Sequence, residues 1–196
     1  MLSLAQGKEL VQAARKAVTS KLKGEHFELK GFEEKAGIFV TIHNYPENEL
    51  KGCVGFPEPI FPLNKALVQA ANSAAFSDPR FIPLQKEDLD KIIFEVSVLT
   101  KPELIKVKKP EEYKKEIKIG RDGLVAEQNH FRGLLLPQVA PEWNWNVEEF
   151  LNHTCEKSGL PSEAWKDTKL VKVYKFQAQI FKETKPKGEV IETKDF

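Results

Sequence analysis

Two short apolar runs on either side of a turn constrain this chain more than any other feature of its sequence. Gly37-Ile38-Phe39-Val40-Thr41-Ile42-His43 is rich in β-branched and aromatic residues, the composition of a short strand. Asn44-Tyr45-Pro46-Glu47-Asn48-Glu49 has the composition of a turn. Leu50-Lys51-Gly52-Cys53-Val54-Gly55 follows directly. The two runs can pair as an antiparallel hairpin, with His43 and Cys53 near its outer ends.

The second run also brackets a cysteine with two glycines. Glycine permits positive φ, or close approach of the backbone to another group, because it has no Cβ. A cysteine between two such positions can present its thiol and neighbouring amides to a cleft, and Lys51 would favour the thiolate. The alternative is a strand ending in a turn, with Cys53 as a small buried apolar side chain.

The remaining chain alternates helical and strand-like patterns. Ser3 and Gln6 have capping-box spacing, and Leu10, Val11, Ala14, Ala17, Val18 and Leu22 recur at helical intervals. This predicts a helix over 4–22, stopped at Gly24. A second helix is predicted over 63–76, with Ala66, Ala70, Ala71, Ala74 and Ala75 as a small-residue stripe suited to close packing. Ser77-Asp78-Pro79-Arg80 breaks it, because Pro79 keeps Asp78 out of the helical region. Asp78 and Arg80 pair locally or both point into a pocket.

Lys86–Asp90 reads as a short helical turn. Ile92–Leu99 reads as a strand, with Glu95 and Ser97 on the face opposite Phe94, Val96 and Val98. Asp122-Gly123 and Gln128-Asn129-His130 are turn signals among three apolar runs, which predicts a three-strand meander over 117–136. Asn146 and Glu149 have the spacing of an N-cap and its partner, opening a helix that buries Phe150, Leu151 and Cys155 and stops at Gly159. Lys169–Phe181 reads as one late strand, and residues 182–196 as a polar, loosely ordered tail.

Composition excludes several classes. Lysine and arginine (30 residues) nearly cancel aspartate and glutamate (29), so no overall field draws the chain to nucleic acid or anionic membrane. Two cysteines make no disulfide framework, which suits a reducing, cytoplasmic setting. No apolar run is long enough to span a bilayer.

The four histidines, His26, His43, His130 and His153, lack metal-ligand spacing with each other or with the cysteines. No nucleophile elbow, phosphate loop or dinucleotide fingerprint occurs. A cysteine nucleophile stays open, with His43 as base and amides around Gly52 and Gly55 as oxyanion donors. RNA binding through Phe56, Arg80, Phe81, Arg121 and Arg132 ranks last, because tight binding to phosphates needs a net basic surface.

At this point the residues carry a resemblance. Leu50-Lys51-Gly52-Cys53-Val54-Gly55 resembles the Leu-Arg-Gly-Cys-Ile-Gly signature of the AMMECR-one domain family. That family takes its name from the chromosomal region of Alport syndrome, mental retardation, midface hypoplasia and elliptocytosis. The likeness continues in family order through Asp78-Pro79-Arg80-Phe81, Glu95–Thr100, Ile119–Leu124, Leu134–Ala140 and Glu148–Leu160. Lys51 stands where the family has arginine, and Val54 where it has isoleucine. Asn144 stands where relatives tend to have glycine before the tryptophan.

The resemblance implies an α+β fold: a mostly antiparallel sheet with packed helices, in two lobes flanking a cleft beside the cysteine motif. Residues 1–196 would form a single such domain, divisible into two sub-domains. In prokaryotes the family's domain lies beside, or is fused to, a Memo-like protein and a radical S-adenosylmethionine protein. The family carries no settled reaction, and no cofactor follows from it.

The leading expectation is therefore a small-molecule site for an anionic ligand. Lys51, Gly52, Gly55 and Arg80 would bind the ligand, and Cys53 and Asp78 would carry any chemistry. Asp78 would orient Arg80 or act as acid/base. The alternative is a protein-binding module that docks a Memo-like or radical S-adenosylmethionine partner.

Overall fold

A computed structural model of the chain describes residues 1–193. The chain divides into two compact units. The first comprises Met1–Leu99 and residues 179–193; the second comprises Thr100–Ala178.

In the first unit, helix α1 (Leu4–Leu22) begins at the predicted capping box: Ser3 Oγ accepts from the Gln6 N–H, and Gln6 Oε1 accepts from the Ser3 N–H. Strands β1 (Gly37–Asn44) and β2 (Leu50–Phe56) form the predicted antiparallel hairpin. Helix α2 (Leu63–Phe76) follows, then β3 (Ile92–Leu99), antiparallel to β1. The order across this sheet is β2-β1-β3-β8-β9, closed by β8 (Ala178–Glu183) and β9 (Val190–Thr193).

The two faces of this sheet are chemically different. Ile38, Val40 and Ile42 stand opposite Val98, Val96 and Phe94, and all join one buried cluster with the apolar stripes of α1 and α2. Side chains of the alternate set, Thr41, His43 and Glu95 among them, therefore project to the opposite face. The alanine stripe of α2 lets helix and strand approach closely. A Cβ on Gly52 would lie 2.0 Å from the Ala74 carbonyl oxygen.

One buried ion pair fastens α1 to the sheet. Arg15 Nε donates to Glu183 Oε1 at 2.7 Å and Nη2 to Oε2 at 2.5 Å. Arg15 also donates to the carbonyls of Leu89 and Ile92, and Glu183 accepts from the Phe94 N–H. With four of the five guanidinium N–H groups and both carboxylate oxygens engaged, much of the desolvation of the two charges is offset.

The second unit holds a sheet of order β4-β7-β5-β6, from β4 (Glu103–Leu104), β5 (Gly123–Gln128), β6 (Phe131–Leu135) and β7 (Lys172–Phe176). Short helices α3 (Tyr113–Glu116) and α4 (Val139–Glu142) accompany α5 (Val147–Lys157). Helix α5 starts at the predicted Asn146–Glu149 capping box and buries Phe150, Leu151 and Cys155 against Leu124, Ala126 and Val173.

Three expectations are corrected. The meander has two strands from its own segment, because Ile117–Ile119 forms no strand; β7 fills the third place, pairing with β5. The turn before β5 is held instead by Asp122, whose carboxylate accepts from the Lys118 N–H and from Arg121.

The late strand is two strands, β7 and β8, which belong to different sheets and part at Gln177. Gln177 and Thr100 tie this break, with the Thr100 N–H donating to the Gln177 carbonyl and the Gln177 N–H to Thr100 Oγ1. The polar stretch after 182 is ordered into the sheet: β9 pairs with β8 in register from Ile180–Thr193 to Glu183–Val190. The last three residues of the expected tail lie outside the described residues.

Asn144 adopts φ 55°, the left-handed region that glycine enters freely and asparagine tolerates. A glycine would serve the same turn. The conformation lets Trp143 and Trp145 stack, with Trp145 stacked in turn on His153.

Candidate functional site

The site is built around Cys53, in the middle of β2 at the sheet edge. An edge strand exposes unpaired N–H and C=O groups that must find partners elsewhere. At Cys53 those partners come from the loop after α2. Asp78 Oδ2 accepts the Cys53 N–H at 2.9 Å, and Arg80 Nη2 donates to the Cys53 carbonyl oxygen at 3.2 Å.

Arg80 is itself held by Asp78, with Nε to Oδ1 at 2.9 Å and Nη2 to Oδ2 at 2.7 Å; the Arg80 N–H also reaches Oδ1. Asp78 and Arg80 thus grip both backbone groups of one residue. The Asp78 side chain is only 3 % exposed, whereas that of Arg80 is 55 % exposed. The Arg80 hydrogen bonds hold the Asp78 carboxyl well below the usual carboxylate range. The carboxylate in turn raises the Arg80 guanidinium above its ordinary value.

The thiol of Cys53 lies in the opposite-face row of the sheet. Cys53 stands opposite Thr41 on β1, and Thr41 opposite Glu95 on β3. Thr41 Oγ1 donates to Cys53 Sγ at 3.2 Å. Burial pushes the thiol up; Thr41 and Arg80 pull it down, and Glu95 and Asp78 add to the rise. Lys51 is not among these influences, so the expectation that it favours thiolate finds no support in the electrostatics.

Further along the row, Glu95 Oε2 lies 3.8 Å from both His43 Nε2 and Lys182 Nζ. Burial raises the Glu95 carboxyl and lowers the His43 imidazole. His43 Nδ1 lies 3.3 Å from the Asn48 carbonyl oxygen, which engages the ring with the hairpin turn; its Nε2 is buried without a hydrogen-bond partner among the described residues, and no bond joins it to Cys53.

The expected site residues thus fall into two groups. Cys53, Asp78 and Arg80 come together directly. Lys51 is the extra residue of a β-bulge: Gly52 pairs with Ile42 and Leu50 with His43, leaving Lys51 without an opposite number. Its side chain makes no hydrogen bond or ion pair among the described residues.

The two glycines are explained by close approach. Gly52 admits the α2 backbone, and a Cβ on Gly55 would lie 2.2 Å from the Ile38 carbonyl oxygen and 2.5 Å from the Phe39 ring. Sequence reasoning missed Thr41 and Lys182 and left Glu95 without a role. The alternation of Gly37–His43 and of Ile92–Leu99 was the available signal, but the register that aligns Thr41 between Cys53 and Glu95 is not written in either run.

The arginines considered for RNA are each matched by an acid: Arg80 by Asp78, Arg121 by Asp122 and Arg132 by Glu127. Among the described residues no three His, Cys, Asp or Glu side chains converge as a metal-binding group, and no helix is long and apolar enough to cross a membrane.

Fold and site together define an α+β protein of two sheet-bearing units with a half-buried thiol on a clamped edge strand. Comparison with known proteins supplies the family. The chain belongs to the AMMECR1 family, whose model matches residues 11–181. It is 52 % identical over 198 residues to protein MJ0810 of Methanocaldococcus jannaschii, covering 99 % of this chain and 98 % of that one. It is 50 % identical over 193 residues to protein PYRAB00100 of Pyrococcus abyssi, covering 94 % and 93 %. The crystal structure of the uncharacterised protein PH0010 from Pyrococcus horikoshii superposes with a TM-score of 0.83 at 47 % identity, covering 95 % of this chain and 96 % of that one.

Proposed function

We propose that this chain binds a small anionic ligand beside Cys53, with Arg80 as the anion-holding cation and the thiol as the group facing the ligand. The observation that carries this reading is the Asp78 clamp. Asp78 spends its carboxylate on Arg80 and on the Cys53 N–H, which fixes a guanidinium beside the thiol before any ligand arrives. A preorganised cation loses less conformational freedom on binding than a free side chain.

Arg80 Nη1 makes no hydrogen bond among the described residues, and over half of the side chain is exposed. Asp78 is then a positioning residue, since a carboxylate held this far down carries no proton to donate at neutral pH. Lys51 adds positive charge from the bulge. Both cysteines are free thiols, in keeping with a reducing, cytoplasmic setting.

The test uses alkylating reagents of equal shape and different charge. Relative to glutathione, Cys53 should react faster with iodoacetate than with iodoacetamide. Arg80→Gln should reduce that preference about fivefold, the size of a partly exposed ion pair. Equal preference in the protein and in glutathione would sink the reading.

A protein-docking role is the second reading. Ile82 is 87 % exposed two residues beyond Arg80, and Phe61 and Ile60 are exposed after the end of β2. Large apolar side chains beside the motif suit a partner such as a Memo-like or radical S-adenosylmethionine protein. Ile82→Asp should then abolish co-purification with that partner while leaving the iodoacetate preference intact.

A further inference from the structure

Thr41 is the residue nearest the thiol that the ligand reading leaves unused. It lies inside β1, where a valine would meet the same demands of strand shape. Its hydroxyl is what distinguishes it. The residue is 9 % exposed, and a hydroxyl has one hydrogen that a buried environment must place on an acceptor. Among the described residues the acceptor is Cys53 Sγ, 3.2 Å away across the β1–β2 ladder.

We propose that Thr41 is a positioning residue of the Cys53 site: its hydroxyl fixes the direction of the sulfur and holds the thiolate once the proton leaves, while Glu95, opposite it on the next strand, acts in the opposite sense. This rests on the reading of Cys53 as the ligand-facing group. Three strands therefore share one row. A donor on the central strand favours negative sulfur, and a carboxylate one strand further, at a strand spacing of about 4.8 Å, disfavours it.

The other charges near the row are Arg80, which favours thiolate, and Asp78, which opposes it. Lys182 and His43 reach the row only through Glu95, at 3.8 Å each. Burial, with Glu95 and Asp78 adding to it, favours the protonated sulfur in the resting protein. Thr41 provides a bond that strengthens when the proton goes, since hydrogen bonds to a charged acceptor are stronger than those to a neutral one.

The experiment follows iodoacetamide alkylation of Cys53 against pH by peptide mass spectrometry, so that Cys155 is scored separately. Thr41→Val should move the profile to higher pH by about one unit, a tenfold lower thiolate fraction at fixed pH. Thr41→Ser should restore it, and Glu95→Gln should move it the other way. A Thr41→Val profile that coincides with the native one overturns the proposal, as does failure of serine to restore it. Thr41→Ala serves if the valine variant does not fold.

The anion reading is scored independently by the iodoacetate preference. A shifted profile without that preference leaves Thr41's role standing and removes the anionic ligand. The preference without a shift does the reverse.

Discussion

The two cysteines of this chain receive the same first push and end in different chemistry. Burial raises both thiols. Cys155 is fully enclosed in the second unit's core, near Tyr113 and Trp165, and is pushed up to about 11. Cys53 is half-buried, and its neighbours are a hydroxyl, a guanidinium and two carboxyl groups. The sulfur in the core has packing partners; the sulfur on the edge strand has partners that respond to charge. A raised thiol therefore does not distinguish structure from function here. The identity of the neighbours does.

The largest test of that contrast is accessibility. With iodoacetamide under native conditions, Cys53 should react at least on the order of a thousandfold faster than Cys155, whose exposure requires opening of its core. Comparable rates would mean that the edge thiol is as enclosed as the core one, and the contrast would fail.

Next in size is the support beneath Cys53. Gly52→Ala places a methyl group against the Ala74 carbonyl, and the strand must leave the helix to relieve it. The expected loss is about 3 kcal/mol, read from the urea midpoint. A near-neutral result would show that β2 is not held against α2.

The smallest effect comes from the clamp. Asp78→Asn should cost about 2 kcal/mol, because the Cys53 N–H and Arg80 lose a charged acceptor. It should also change the response to acid. The Asp78 carboxyl is held below its ordinary value of 3.8, so its contribution is complete above that value and is lost as pH falls through the depressed folded one. The asparagine variant should lack this part of the acid limb in urea titrations below pH 4. An unchanged limb would show that the clamp stores no pH-dependent stability.

Much of this architecture was legible locally. Ser3 with Gln6, and Asn146 with Glu149, announce helix starts because their bonds close within one turn. The Asn44–Glu49 turn announces the hairpin, and the Asp78-Pro79-Arg80 break places the clamp after α2. Of the six residues first considered for the site, Cys53, Asp78 and Arg80 converge. Gly52 and Gly55 are read as packing positions once the Ala74 and Ile38 carbonyls are seen beside them. A glycine's reason lies in what approaches it, which its own sequence neighbourhood does not contain.

The sequence by itself determined the helices, most strand positions and the loop that meets the cysteine, because those depend on caps, turns and short-range periodicity. Tertiary structure alone decided the rest. Residues 169–181 have one strand-like character, but Thr100 captures Gln177 and divides them between two sheets. Residues 190–193 bury Val190 and leave Ile191 exposed, and they become a strand because β8 offers an edge. Thr41 and Glu95 join Cys53 because the bulge at Lys51 and the pairing of three strands set one register. Strand patterns specify faces, and only pairing specifies neighbours.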